Sequence, residues 1–147
     1  MDILNDILSA LSVSLDALFP NIPICTELVP NNLPQRCFLI GYAGEATVTQ
    51  EVSGRYKVSG KLDITYLPPE KEAELQTKRE VNEVFARLAL NLGVITFKAL
   101  TLRLYDHTRQ GSDESALHDI CKFSTFIFKN SNTPLMQNIK TDKELLK

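Results

Sequence analysis

A chain of 147 residues with 23% charged and 44% hydrophobic side chains and a formal net charge of −2 has ordinary globular composition and is long enough for one domain with its own core. That charge balance carries no basic footprint for sequence-specific nucleic-acid binding, and no run of about 18 apolar residues is present to span a membrane. The cysteines, Cys25, Cys37 and Cys121, are odd in number and scattered without a CxxC pair. Reduced thiols packed as small hydrophobes in a cytosolic protein are expected.

Ile3, Leu4, Ile7, Leu8, Leu11, Leu15 and Leu18 recur at three- and four-residue steps. They predict an amphipathic helix with Asp2 as N-cap, ended by Phe19-Pro20-Asn21. Asp2, Asp6 and Asp16 and the missing basic n-region make it mature structure rather than a signal peptide. Residues 22–28, broken by Pro23, predict a short edge strand, and residues 29–34 a loop. Residues 36–52 predict one long strand. Phe38, Ile40, Tyr42, Ala46, Val48 and Val52 share its even face, and Gly41 and Gly44 mark a bend or bulge.

Residues 55–66 alternate most strictly. Tyr56, Val58, Gly60, Leu62, Ile64 and Tyr66 oppose Arg55, Lys57, Ser59, Lys61, Asp63 and Thr65, the period of a half-buried strand. A hairpin with the preceding strand is predicted. Matching the apolar faces selects a Val52–Tyr56 register and a three-residue loop, Ser53-Gly54-Arg55. That register sets Glu51 opposite Lys57 and Glu45 near Asp63 on the outer face.

Leu67-Pro68-Pro69 stops the strand, and the acidic start and apolar stripe of residues 70–92 predict a helix closed by Gly93. Residues 97–105 predict a strand, 106–112 a polar turn, 116–128 a last strand rich in phenylalanine, and 131–147 a polar C-terminal tail after a single domain of residues 1–130. The fold class is α+β: a mainly antiparallel sheet with a long β-hairpin, flanked by two helices.

Chemistry-bearing residues are few. His107 and His118 flank the predicted turn and can approach each other beside Asp106, Asp113 and Asp119, but their spacing matches no metal motif. Neither histidine is expected on the strand face of Cys121, which disfavours a Cys–His nucleophile. No phosphate loop, GxSxG or HExxH is present. The basic and aromatic interleaving of residues 122–129 reads as a strand with snorkelling lysines. No catalytic residue, cofactor or metal is assigned.

Several landmarks fall in a familiar order: Phe19 to Asn21 closing a first helix; Ile24-Cys25-Thr26-Glu27; Leu33-Pro34-Gln35-Arg36-Cys37-Phe38-Leu39-Ile40; Gly54-Arg55-Tyr56 opening a strand that closes at Tyr66-Leu67-Pro68; and the aromatic run from Phe123 to Phe128. Over about residues 1–130 the chain resembles the tail-terminator, or tail-completion, proteins of phages and of phage-tail-like particles of Gram-positive bacteria. The resemblance implies a non-enzymatic structural protein, an α+β fold, and a self-assembled ring, typically hexameric. Such a ring caps the tail tube protein, stops its polymerisation, and meets the head connector and, in contractile tails, the sheath protein. It implies a place at the head-proximal end of the virion or particle, assembled in the host cytoplasm. Exposure nominates Glu51, Ser53, Gly54, Arg55, Lys57, Asp106 and Arg109 as candidate interface residues. A head–tail joining protein is the alternative, and an enzyme using His107, His118 and Asp119 a more distant one.

Overall fold

The structure is a computed structural model that describes residues 2–25, 36–68, 74–110 and 116–129. The predicted loop 29–34, the start of the second helix and the tail 131–147 lie outside the described residues. Helix α1 (Ile3–Leu18) begins where the sequence places it, with the Asp2 side chain accepting from the Asn5 amide. β1 (Ile24–Cys25) is an edge strand as expected, and it pairs parallel to β2 (Cys37–Tyr42).

The long strand predicted over residues 36–52 is two strands, β2 and β3 (Thr47–Gln50). Gly44, at φ +85°, lies in the break between them. Both strands pair with the same side of β4 (Arg55–Leu67), β3 along its first half and β2 along its second. The hairpin register also differs from the expected one. Val48 faces Val58 and Gln50 faces Tyr56, so face parity holds but the pairing slides by two residues. The loop is Val52-Ser53-Gly54, closed by Glu51 N–H donating to the Arg55 carbonyl at 3.0 Å. The physical reason is the loop's handedness. A three-residue hairpin places its left-handed residue last, and Gly54 fills that position at φ +78°. The slide sets Thr49, not Glu51, opposite Lys57, and Gly41, not Glu45, opposite Asp63. Val48 and Val52, expected on the core face, are exposed.

After α2 (Glu74–Asn91) come β5 (Val94–Phe97), β6 (Leu100–Gln110) and β7 (Leu117–Phe128). The residues read as a polar turn from Asp106 continue β6 as far as Gln110. The seven strands form one mostly antiparallel sheet in the order β1-β2-β4-β7-β6-β5, with β3 beside β4. α1 touches β1 and β2 near one edge and β5 and β6 near the other, so the sheet curls around it.

The expected alternation of β4 is realised. Val58, Leu62, Ile64 and Tyr66 are buried with Leu117, Cys121 and Phe123 of β7, Leu100, Leu102 and Leu104 of β6, and Ile7, Leu11 and Leu15 of α1. α2 adds Val81, Val84 and Leu88. Each fully buried large side chain contributes about 1.5–3 kcal/mol, so this single cluster dominates stability. Polar contacts fix the helices over it. Arg87 of α2 donates to the Leu18 carbonyl at the end of α1 (2.8 Å), and Glu80 accepts from Arg36 (2.8 Å) and from the Tyr66 hydroxyl (2.5 Å). Among the described residues no helix is long and apolar enough to cross a membrane.

A Cβ at Gly54 would sit 2.9 Å from the Lys129 carbonyl, whose amide donates to Gly54 O. Gly54→Ala therefore meets both a left-handed backbone and a backbone clash. It is expected to lower stability by about 1–3 kcal/mol, read as a lower urea midpoint at unchanged slope.

Candidate functional site

The sheet's two faces carry different chemistry, and a bulge in β6 decides which histidine joins which face. Tyr105 pairs with Lys122, but the next pair is Thr108 with Ile120, so β6 carries one extra residue at Asp106-His107. Asp106 takes φ +55° there. The extra residue reverses the parity of the rest of the strand, and His107 turns inward under the end of α2.

There His107 donates from Nδ1 to Asp119 Oδ2 (2.7 Å) and from Nε2 to the Leu92 carbonyl (2.9 Å). Asp119 is fully buried and His107 is 7% exposed. Both partners are acceptors, so the ring holds two N–H groups as an imidazolium. Burial lowers its pKa, but the Asp119 carboxylate and the Leu92 carbonyl outweigh it, and the net shift is upward. The carbonyls at a helix C-terminus favour this cation as well.

His118 is on the opposite, outer face, with Nδ1 at 2.9 Å from Thr65 Oγ1 and 3.3 Å from Asp63 Oδ1. The two histidines therefore do not approach each other. The same bulge corrects a second expectation, because His107 does share a face with Cys121. Ligand atoms of His107, Asp119 and Cys121 converge within 4.8 Å. At 2.7 Å, however, Nδ1 and Oδ2 are hydrogen-bonded and closer than the roughly 3.3 Å separation of two ligands on one tetrahedral zinc. Burial, then the Asp119 and Asp63 carboxylates, push the Cys121 thiol up to about 12, leaving it protonated rather than nucleophilic.

The interface candidates fall at two ends of the sheet. At the hairpin end, Arg55 pairs with Glu51 (3.2 Å) and stacks on Phe126 (3.9 Å), and Lys57 lies opposite Phe126 in the ladder. Ser53 and Gly54 form the tip. At the other end, Asp106 pairs with Lys122 (3.3 Å), and Arg109 turns toward α2 and donates to Asn82.

Residues outside that set extend the hairpin end into a surface. Arg55, Lys57, Arg103, Tyr105, Phe126 and Phe128 line a broad outer groove of about 700 Å³ in which no lining residue is acidic. The signal was in the even positions of β7, Lys122, Phe126 and Phe128, which alternate against the buried Cys121, Phe123 and Thr125.

Comparison with known proteins decides the family. A family model described as phage tail terminator protein matches residues 6–134. The chain belongs to the phage tail terminator family. The protein is thus a structural component of the phage tail. No curated protein matches it significantly. One solved structure aligns with 88% of this chain and 96% of its own, at 17% identity and a TM-score of 0.49.

Replacing the buried pair by the neutral His107→Gln/Asp119→Asn removes its titration. His107 has a raised folded pKa, so its contribution is complete below the unfolded value of about 6.5 and is lost as pH rises through the folded one. The stability of the wild-type protein relative to this variant is expected to fall as pH increases from about 6.5, measured by urea unfolding across a pH series. At neutral pH, His107→Ala leaves Asp119 buried without its cation and is expected to cost about 3–5 kcal/mol.

Proposed function

We propose that this terminator assembles into a closed ring, typically a hexamer, on the head-proximal end of the tail tube. There it stops tube polymerisation and presents the surface that the head connector meets. In a contractile tail the same ring holds the last sheath ring. On this reading residues 1–130 are the assembling domain and 131–147 a tail beyond it.

The observation that carries the reading is the family match across residues 6–134. The fold is compatible with it. A ring needs heterologous contacts, two different surfaces on one subunit that meet in its neighbours. Among the described residues, the curled sheet offers an outer face free of helices, and β3 and β5 as short strands that each pair on one side only. Both partners and self-assembly rest on surface complementarity, so no catalytic group is required.

Deleting the gene tests the role. Loss of a terminator is expected to give overlong tubes or sheaths by electron microscopy. Tails of normal length detached from their heads would instead identify a head–tail joining protein. For the purified chain, native mass spectrometry is expected to show a ring, or a monomer that forms one on added tail tubes.

A further inference from the structure

We propose that the ring contact is made by the basic outer face of the sheet on one subunit and the acidic exposed stripe of α1 on the next. The occupant of the outer groove is thus a second copy of this chain. The proposal rests on the ring reading and deepens it by naming the two surfaces.

Charge is segregated on this molecule although its net value is only −2. Neighbouring rows of the outer face carry Arg55, Lys57, Lys61, Arg103 and Lys122, and the acids on that face, Glu51, Asp63 and Asp106, are engaged by Arg55, His118 and Lys122. Arg55 and Lys122 are engaged by Glu51 and Asp106, whereas Lys57, Lys61 and Arg103 have no carboxylate partner among the described residues. Exposed apolar surface lies between them: Phe126, Phe128 and the adjacent Val94 of β5.

The helix on the other side has the complementary character. α1 contains no lysine or arginine, and Asp2, Asp6 and Asp16 are its charges. Asp6, Ser9, Val13 and Asp16 succeed one another at three- and four-residue steps, which places them on one stripe. The stripe points away from the buried Ile7, Leu11 and Leu15. Val13 is 57% exposed at its centre, and neither Asp6 nor Asp16 has a cation partner among the described residues.

The spacings agree. Asp6 and Asp16 are about 15 Å apart along a helix, and Lys57 and Lys61 about 13 Å apart along a strand. A carboxylate can thus reach each lysine while Val13 lies near Phe126. α1 packs on the inner face of the sheet and the lysines project from the outer face. The contact is therefore head-to-tail, the kind that propagates and closes into a ring.

Two charge-reversed chains test this: Lys57→Glu/Lys61→Glu, and Asp6→Lys/Asp16→Lys. Circular dichroism and thermal melting establish that each folds. Alone, each sets like charges together and is expected to associate at least tenfold more weakly than wild type by sedimentation velocity. Mixed in equal amounts, every contact is again complementary, and rings of alternating subunits are expected by native mass spectrometry. Wild-type rings with equally stable rings of either variant alone would overturn the interface and leave the ring reading standing. Loss in both variants without rescue on mixing would also overturn it. A wild-type chain that stays monomeric even on tail tubes would overturn the ring reading and this interface with it. If the lysine variant still forms rings but loses binding to a fluorescent single-stranded DNA oligonucleotide, the groove takes nucleic acid and the interface is wrong.

Discussion

Twelve consecutive antiparallel pairs join β4 to β7, from Arg55 opposite Phe128 to Tyr66 opposite Leu117. Every other feature hangs on this ladder. It fixes which side chains of the two longest strands point together, and so divides the sheet into a face that buries apolar surface and a face that does not. β2 and β3 share the far edge of β4, and β6 continues from β7. Neither helix has a flat platform. α1 is held because the sheet curls, and α2 because Val81, Val84 and Leu88 are buried in the same core, with Glu80 and Arg87 fixing its position against Arg36, Tyr66 and the end of α1.

The ladder also creates a problem that the bulge in β6 solves. Asp119 occupies an inward position between Leu117 and Cys121, where an unpaired carboxylate would be very costly. With regular pairing, β6 would aim His107 outward. One extra residue turns it inward, where a single ring bonds one oxygen of the buried acid, Oδ2, and a helix-terminal carbonyl together, while Asp119 Oδ1 has no partner among the described residues. The extra residue, the buried charge and the end of α2 form one unit. That unit accounts for His107, Asp119 and Cys121 as architecture in a family of structural tail proteins.

Local pattern made much of this fold legible. The steps of Ile3 to Leu18, the Asp2 cap and the alternation of residues 55–66 are short-range consequences of Cβ geometry, and all three are realised. What escaped depends on non-local choices. Residues 36–52 alternate as if continuous, yet β2 and β3 meet different halves of β4, and a chain cannot announce such a break through periodicity alone. The hairpin slid by two because apolar parity admits any even shift, and the handedness of Gly54 selected among them. The bulge was hidden for a related reason, since its only local trace is a polar His107 and Asp119 at odds with their neighbours. At the candidate surface, Arg55 and Lys57 were legible from their parity. Arg103 and Phe126 join them only through pairing between strands distant in sequence.

A net charge near zero conceals how the charges are arranged. Asp6 and Asp16 lie on α1, inside the curl of the sheet, and Lys57, Lys61 and Arg103 lie on its outer face. A two-fold contact through either surface would press like charges together and leave the exposed phenylalanines or Val13 against a repelling neighbour. The proposed head-to-tail contact would relieve both surfaces at once. It also leaves one unmatched surface of each kind at the ends of any open chain, and closing the ring removes them. On the proposed ring reading, the same asymmetry that makes a paired dimer unfavourable would make closure favourable, without any specialised end-capping residue.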